Sequence, residues 1–183
     1  MIKIAVCDDE PAACEKLKHR ILQTLSRWRE TSAVTCYASG IRLLSSPVDF
    51  DLIFLDIRMP GEDGMTLAGR LRQKGFGGDL IFVSSFPEYM PEAFAVEALD
   101  YLCKPVDQRR LEAALKRGLK RLEDRTEQSL FIQTMNWCKT IRFKDIYYCE
   151  VINRKIYIHA RNEVIDYYGR MKELENQAGS RLF

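Results

Sequence analysis

The sequence predicts an α/β fold for about the first two thirds of its 183 residues, followed by a shorter, mainly β region. Up to about residue 124, short apolar runs alternate with helical patterns. The apolar runs also lack the polar alternation of half-exposed strands. Strands of this kind are buried on both faces and are covered by helices. We therefore expect a five-stranded parallel sheet wound on both sides.

The elements of the first region begin with an apolar strand, IKIAVC, at residues 2–7. Pro11 then opens a helix at a position where its missing amide hydrogen costs no hydrogen bond. A polar turn, a glycine or a proline marks the limits of the later elements. Strands are expected at 33–38, 51–56, 79–85 and 100–105, and helices after residue 40, at 64–75, near 88–97 and at 107–124.

The second region has a different residue pattern. Residues 124–129 read DRTEQS and predict a polar linker. The chain then contains five short segments rich in β-branched and aromatic residues, which predict an antiparallel sheet, and a final short helix at 169–178. The predicted organisation is one domain at 1–123, the linker at 124–129 and a second domain at 130–183.

Composition limits the possible classes of protein. No apolar stretch approaches the roughly 20 residues of a membrane helix, and the start, MIKIAVCDDE, is a poor signal peptide. We expect a cytoplasmic protein without a membrane partner. Residues 1–124 carry 18 Lys and Arg against 19 Asp and Glu, whereas residues 125–183 carry 10 against 7. This charge distribution places an anionic partner at the C-terminal end.

The six cysteines do not predict a metal site. They form no C-x-x-C pair, and the chain has only two histidines, so a zinc site is disfavoured. In a reducing compartment they are expected to be buried small apolar residues, with an oxidised pair as the minority alternative.

Polar residues follow the predicted parallel strands where each strand ends. Asp8 and Asp9 follow the first strand, Asp56 ends the third, Ser84 ends the fourth and Lys104 ends the fifth. The carboxyl ends of parallel strands meet at one edge of a sheet, so these side chains are expected to converge there. Each residue alone has an ordinary explanation; the acid pair, for example, would suit any helix N-terminus. Their joint placement is the signal.

Three crowded carboxylates repel one another unless a cation lies among them. Mg²⁺ prefers oxygen ligands and is commonly bound by one or two carboxylates together with a phosphate. Lys104 adds a positive charge, and Ser84 adds a hydroxyl donor. The pattern predicts an anion site built on Asp56, in which this carboxylate attacks phosphorus and becomes an acyl phosphate.

The segments VCDDE, FLDIRMPGEDG, FVSS and ALDYLCKP resemble the receiver domain of two-component response regulators, in order and over about residues 1–122. The resemblance implies a flavodoxin-like fold in which Asp56 accepts a phosphoryl group from a sensor histidine kinase. It also implies a Mg²⁺ ion held by Asp8, Asp9, Asp56 and the backbone carbonyl of Arg58.

The same resemblance assigns roles to other residues. Lys104 pairs with the phosphoryl group and precedes a cis bond to Pro105, Ser84 is the switch hydroxyl, and Tyr101 is the switch aromatic. Residues 59–61 shape the neighbouring loop. Phosphorylation is then expected to shift the population between two packings and to favour a homodimer. The alternative for Tyr101 is an ordinary half-buried strand residue.

Residues 139–177 resemble the start of a LytTR-type DNA-binding domain. The resemblance covers about the first half of such a domain, so the β region is expected to be incomplete and to bind DNA weakly alone. The chain is then either a fragment of a longer regulator or a truncated natural form. The resemblance places Asn153, Arg154 and Lys155 on a turn that contacts DNA, with Arg154 expected on guanine and Lys155 on phosphate. A solvent-facing turn is the alternative.

The main hypothesis is therefore a phosphorylation-controlled transcriptional regulator. A signalling adaptor that acts through dimerisation or protein docking is the alternative. An aspartate-nucleophile phosphatase is disfavoured because it needs a second acid two residues after the nucleophile, where this chain has Arg58. A dinucleotide-binding fold is disfavoured because the first strand leads into CDDEP instead of a glycine-rich turn. We expect no enzyme activity beyond self-catalysed phosphotransfer and autodephosphorylation.

Overall fold

The computed structural model describes residues 1–127 and 129–179, with Glu127 described by its backbone alone. The chain divides into two compact units, and the division falls between Leu119 and Lys120. Among the helices of the described residues, none combines the length and the apolar character that a membrane crossing requires.

Five parallel strands form the sheet of the first unit. They are β1 (Ile2–Cys7), β2 (Ser32–Tyr37), β3 (Leu52–Leu55), β4 (Asp79–Ser84) and β5 (Asp100–Cys103). Their order in the sheet is β2-β1-β3-β4-β5. Every residue of β3 and β4 is buried, which explains why these strands lack polar alternation. The predicted five-stranded parallel sheet is confirmed.

The register of the strands aligns their carboxyl ends. Cys7 lies opposite Leu55 across β1 and β3, and Leu55 lies opposite Phe82 across β3 and β4. Ser84 lies opposite Cys103 across β4 and β5. The residues that follow β1, β3 and β5 therefore emerge at the same edge of the sheet.

Five α-helices alternate with these strands. They are α1 (Pro11–Arg27), α2 (Gly40–Leu44), α3 (Gly64–Gln73), α4 (Met90–Ala93) and α5 (Gln108–Glu127). Pro11 occupies the first turn of α1, as predicted. The Asp63 carboxylate caps α3 by accepting a hydrogen bond of 2.8 Å from the Thr66 amide. Gly75, with φ of +85°, follows the end of α3 and is the predicted helix stop.

The predicted helix near 88–97 is wrong as a continuous element. The segment contains 3₁₀ turns at Pro87–Tyr89 and Phe94–Val96 on either side of the single turn of α4. Pro91 has no amide hydrogen to donate to the preceding turn, so a continuous helix would lose a hydrogen bond there. Glu97, with φ of +53°, then ends the segment in the left-handed region.

Part of the predicted linker is helical, because α5 includes residues 124–127. The Thr126 hydroxyl also donates to the Leu122 carbonyl at 2.8 Å, within the last turns of α5. The polar composition of DRTEQS suits an exposed helix end as well as a linker, so composition did not distinguish them. The domain limits 1–123 and 130–183 stay a prediction.

The second unit contains antiparallel strands, as predicted. They are β6 (Ser129–Gln133), β7 (Cys138–Arg142), β8 (Ile146–Ile152), β9 (Lys155–Ala160) and β10 (Glu163–Tyr168), followed by α6 (Met171–Ala178). They pair as a two-stranded sheet, β6-β7, and a three-stranded sheet, β10-β9-β8. A separate apolar core holds this unit together, formed by Leu130, Ile132, Ile141, Ile146, Ile156, Ile158, Ile165 and Leu174.

The six cysteines are all free thiols. The expectation that they are buried holds for Cys7 and Cys14 but is wrong for Cys103 and Cys138, which are exposed. Cys103 ends β5, an edge strand of the parallel sheet, and Cys138 begins β7.

Candidate functional site

Three carboxylates converge at the edge of the parallel sheet. Asp8 and Asp9 follow β1, and Asp56 follows β3. One carboxylate oxygen from each lies within 4.8 Å of the others. Asp8 and Asp56 are only 3% and 7% exposed, whereas Asp9 is exposed. The strand register alone brings together residues that are about 48 positions apart in the chain.

Lys104 reaches the same cluster from the end of β5. Its Nζ donates to Asp8 Oδ2 at 2.8 Å and to Asp56 Oδ2 at 2.7 Å. Its amide donates to the Ser84 carbonyl at 2.8 Å, which fixes its backbone beside β4. The bond to Pro105 is cis, as the resemblance implied.

Backbone amides orient the two buried carboxylates. Asp56 Oδ1 accepts a hydrogen bond of 2.7 Å from the Ile57 amide, and Asp8 Oδ1 accepts one of 2.9 Å from the Glu10 amide. Each of these carboxylates therefore has one oxygen on a backbone amide and the other on Lys104.

The charges of this cluster perturb one another. Burial raises the pKa of the Asp56 carboxyl, the Lys104 ammonium opposes the rise, and the nearby Asp8 carboxylate adds to it. Burial alone would lower the pKa of Lys104, but the hydrogen bonds to Asp56 and Asp8 outweigh burial, and its pKa is raised. Lys104 is therefore a fixed positive charge, and Asp56 is a carboxylate whose negative charge is costly when uncompensated.

The acid cluster fits a hard divalent cation. Carboxylate oxygens are the ligands that Mg²⁺ prefers, and three of them within 4.8 Å of one another present more negative charge than Lys104 neutralises. Asp8, Asp9 and Asp56 are the side chains of this cluster that would hold the ion. Nothing in the donor set, which is all oxygen, suits a soft metal.

The first unit matches a known family. Residues 4–116 match the family model for the response regulator receiver domain. The chain belongs to this family. Residues 138–183 match the model for the LytTr DNA-binding domain. The chain is thus a receiver domain followed by LytTR sequence, as predicted, and this combination favours the transcriptional hypothesis over the adaptor alternative.

Two relatives match about two thirds of this chain. The sensory transduction protein LytT of Bacillus subtilis is 30% identical over 131 residues, which cover 70% of this chain and 54% of LytT. The positive alginate biosynthesis regulatory protein of Pseudomonas aeruginosa is 35% identical over 117 residues, which cover 64% of this chain and 47% of that protein. The chain spans about half the length of these two relatives.

Solved receiver domains have the same fold as the first unit. The response regulatory domain of mrkE from Klebsiella pneumoniae has a TM-score of 0.60 at 27% identity, over 67% of this chain and 99% of that one. TrrA from Thermotoga maritima, solved with Mg²⁺ and BeF, has a TM-score of 0.52 at 27% identity, over 64% of this chain and 99% of that one.

The two predicted switch residues of the receiver lie on neighbouring strands. Ser84 is fully buried at the end of β4, and Tyr101 is 4% exposed on β5. The Ser84 hydroxyl accepts a hydrogen bond of 3.3 Å from the Phe86 amide, and the Tyr101 hydroxyl donates to the Phe86 carbonyl. Burial raises the pKa of Tyr101, and a hydrogen bond with Ser84 opposes the rise. Tyr101 therefore occupies the inward orientation here.

The sequence did not single out Phe86 and Tyr89, which lie beside the receiver site. The Arg58 guanidinium carbon lies 5.1 Å from the centre of the Phe86 ring and 5.6 Å from that of Tyr89. The only available signal was their place, directly after the FVSS segment.

In the neighbouring loop, Gly61 adopts φ of +87° and the buried Met59 sulfur accepts a hydrogen bond of 3.6 Å from the Cys7 thiol.

The three predicted DNA contacts do not share one environment. Asn153 and Arg154 form the two-residue turn between β8 and β9, with φ of 50° and 64°, as type I′ hairpins require. Lys155 is the first residue of β9 and not part of this turn, which corrects its predicted placement. Its ammonium pairs with Asp166 and lies over the rings of Tyr157 and Tyr168. Arg154 alone is presented as a cation at the turn.

Proposed function

We propose that Asp56 accepts a phosphoryl group from a sensor histidine kinase and that the phosphorylated protein controls transcription through its LytTR region. The observation that carries this proposal is the convergence of three carboxylates and the Lys104 ammonium at one edge of the sheet. A kinase donor and a DNA target together place the protein in the cytoplasm.

In the proposed transfer, one oxygen of the Asp56 carboxylate forms a bond to phosphorus. The bond from phosphorus to the imidazole nitrogen of the kinase histidine breaks, and its electron pair stays with that nitrogen. The Ile57 amide and Lys104 already hold the two Asp56 oxygens. The nucleophile is therefore oriented before the donor arrives, which lowers the entropic part of the barrier.

Lys104 is proposed to move from the Asp56 carboxylate to a phosphoryl oxygen as the negative charge shifts there. When bound, Mg²⁺ supplies positive charge that offsets the carboxylates and the phosphoryl oxygens. Asp8, Asp9, Asp56 and the backbone carbonyl of Arg58 are its proposed holders. The same residues would support phosphotransfer from a small acyl phosphate and the hydrolysis of the product, so the protein is a phosphoacceptor that contributes to its own chemistry.

The proposed response to phosphorylation uses Ser84 and Tyr101. The Ser84 hydroxyl accepts from the Phe86 amide and donates to the Tyr101 hydroxyl. We propose that it redirects this hydrogen to a phosphoryl oxygen on phosphorylation. Tyr101 then stays inward on the Phe86 carbonyl. We propose that this packing favours a homodimer. Gel filtration with and without beryllofluoride and Mg²⁺ should show a shift from monomer to dimer, and an unchanged elution volume would contradict it.

The proposed output is DNA binding by the second unit. Arg154 is the contact that the geometry supports best because it lies at the tip of a hairpin and belongs to no ion pair among the described residues. Asn153 shares its turn, and Lys155 contributes only if its pair with Asp166 opens. Affinity for a promoter fragment should fall steeply with salt, because phosphate contacts release counterions.

Labelling by acetyl phosphate tests the phosphoacceptor. The wild-type protein should gain one phosphoryl group in the presence of Mg²⁺ and none with a chelator. Asp56→Asn should abolish the gain, whereas Asp49→Asn, which changes an exposed acid of the same domain, should leave it unchanged. Undiminished labelling of Asp56→Asn would remove Asp56 from its proposed role.

A further inference from the structure

Arg58 joins two loops at the edge of the receiver sheet. It follows β3 by three positions, and its guanidinium lies within 6 Å of the centres of two aromatic rings that follow β4, those of Phe86 and Tyr89. These two rings pack edge to face, with centroids 6.4 Å apart and planes at 86°. A guanidinium at this distance from a ring face is attracted to it. The side chain of Arg58 therefore fastens the segment after β4 to the loop that follows Asp56.

Phe86 also contacts both predicted switch residues through its backbone. Its amide donates to the Ser84 hydroxyl at 3.3 Å, and its carbonyl accepts from the Tyr101 hydroxyl. The Tyr101 ring packs against Phe82, with centroids 6.3 Å apart. The position of the Phe86 backbone thus decides whether the buried Tyr101 hydroxyl keeps this carbonyl as the acceptor of its hydrogen.

We propose that Arg58 is a positioning residue whose side chain holds Phe86 and Tyr89 and thereby stabilises the loop conformation that receives the phosphoryl group. This inference rests on the proposed phosphoacceptor role of Asp56. In the held conformation the Ser84 hydroxyl accepts from the Phe86 amide at the end of β4, while Tyr101 is already inward. We call the contacts of Arg58 with Phe86 and Tyr89 the Arg58 latch.

Loss of the latch weakens anion binding at Asp56 because binding must then also order the segment after β4. The apparent affinity of a site equals its intrinsic affinity multiplied by the fraction of molecules in the binding-competent conformation. Two exposed cation–π contacts correspond to a loss of about five- to thirty-fold in affinity. A purely electrostatic role of Arg58 would give a loss too, but that loss would not depend on the aromatic rings.

A double-mutant cycle separates the two roles. The proteins are the wild type, Arg58→Ala, a Phe86→Leu/Tyr89→Leu variant that keeps apolar bulk without rings, and the combination of all three changes. Isothermal titration with beryllofluoride at saturating Mg²⁺ gives the dissociation constants. We expect Arg58→Ala to weaken binding about five- to thirty-fold in the wild-type background and about two-fold or less in the ring-free background.

Hydrogen exchange without ligand gives a second readout. A peptide covering residues 85–90 should exchange faster in Arg58→Ala than in the wild type, because the latch no longer holds the Phe86 amide. Arg70→Ala, which changes an arginine of α3 that pairs with Glu62, is the control and should leave that peptide unchanged.

The outcomes distinguish this inference from the function on which it rests. Equal losses from Arg58→Ala in both backgrounds, with unchanged exchange at residues 85–90, would overturn the latch and leave the phosphoacceptor intact. Failure of the wild-type protein to bind beryllofluoride with Mg²⁺ would overturn the Asp56 assignment, and the latch with it.

Discussion

Replacement of Lys104 by methionine tests the electrostatics of the acid cluster. The Asp8 and Asp56 oxygens of this cluster lie within 4.8 Å of each other, and both side chains are buried. At an effective dielectric constant of about 20, two unit charges at this distance repel by about 3 kcal/mol. Lys104 offsets this repulsion through contacts of 2.8 and 2.7 Å, and its side chain is only 25% exposed. Lys104→Met should therefore lower the free energy of unfolding of the first unit by about 2–4 kcal/mol at neutral pH.

The loss of unfolding free energy in Lys104→Met should be larger at neutral pH than at acidic pH. Lys104 holds down the pKa of Asp56, which burial raises, so its removal raises this pKa further. A carboxyl group whose pKa is raised in the folded state favours folding at low pH, and that contribution is lost as pH rises through the folded pKa. The difference between Lys104→Met and wild type should thus be largest at neutral pH and should shrink at acidic pH. Mg²⁺ should restore part of it.

Urea unfolding followed by Trp28 fluorescence measures this effect in the first unit, in a Trp137→Phe background that leaves Trp28 as the sole tryptophan. Lys16→Met, which changes an exposed lysine of α1, is the matched control and should change the midpoint little. A loss of unfolding free energy in Lys104→Met that is equal at neutral and acidic pH, and that Mg²⁺ does not change, would refute the electrostatic role of Lys104.

Three other perturbations test the metal site, the packing of Gly64 against the Asp56 backbone and the turn at Arg154. Mg²⁺ at 100 times its dissociation constant should stabilise the wild type by about 2.7 kcal/mol and Asp56→Asn by less, in thermal unfolding scans; equal stabilisation would contradict a site that includes Asp56. Gly64→Ala should destabilise the first unit by about 3 kcal/mol in urea, because its Cβ would lie 2.0 Å from the Asp56 carbonyl; a neutral change would show that this backbone contact is not tight. Arg154→Ala should weaken promoter binding more than Lys155→Ala in a gel-shift assay, because Lys155 already pairs with Asp166, and the reverse order would contradict the assigned turn contact.

The sequence was sufficient for the parts of the site that depend on which residues follow the parallel strands. Asp8, Asp56 and Lys104 each follow a strand whose apolar run is unbroken, and in a parallel sheet such residues meet at one edge. Their convergence also requires β1 and β3 to be neighbours, as they are in the order β2-β1-β3-β4-β5. The antiparallel region was predictable for a similar reason, because its β-branched and aromatic segments are short and separated by turns.

Other features depend on contacts that sequence periodicity does not encode. The Arg58 latch joins residues almost 30 positions apart through ring faces, and neither the arginine nor the rings belong to a repeating pattern. The resemblance placed Lys155 on a turn with Asn153 and Arg154, although β9 begins at Lys155 and pairs it with Tyr168 of β10. The turns around α4 form where Pro91 removes a donor, a local effect that the apolar spacing of residues 88–97 conceals.

Identification of the phosphorylated residue is the most direct test of the proposed phosphoacceptor. After reaction with acetyl phosphate and Mg²⁺, borohydride reduction converts an acyl phosphate of aspartate into homoserine, and peptide mass spectrometry locates the converted position. We expect homoserine at position 56 alone, and we expect it to disappear when the metal is chelated. Homoserine at position 8 or 9, or conversion that persists without Mg²⁺, would contradict it.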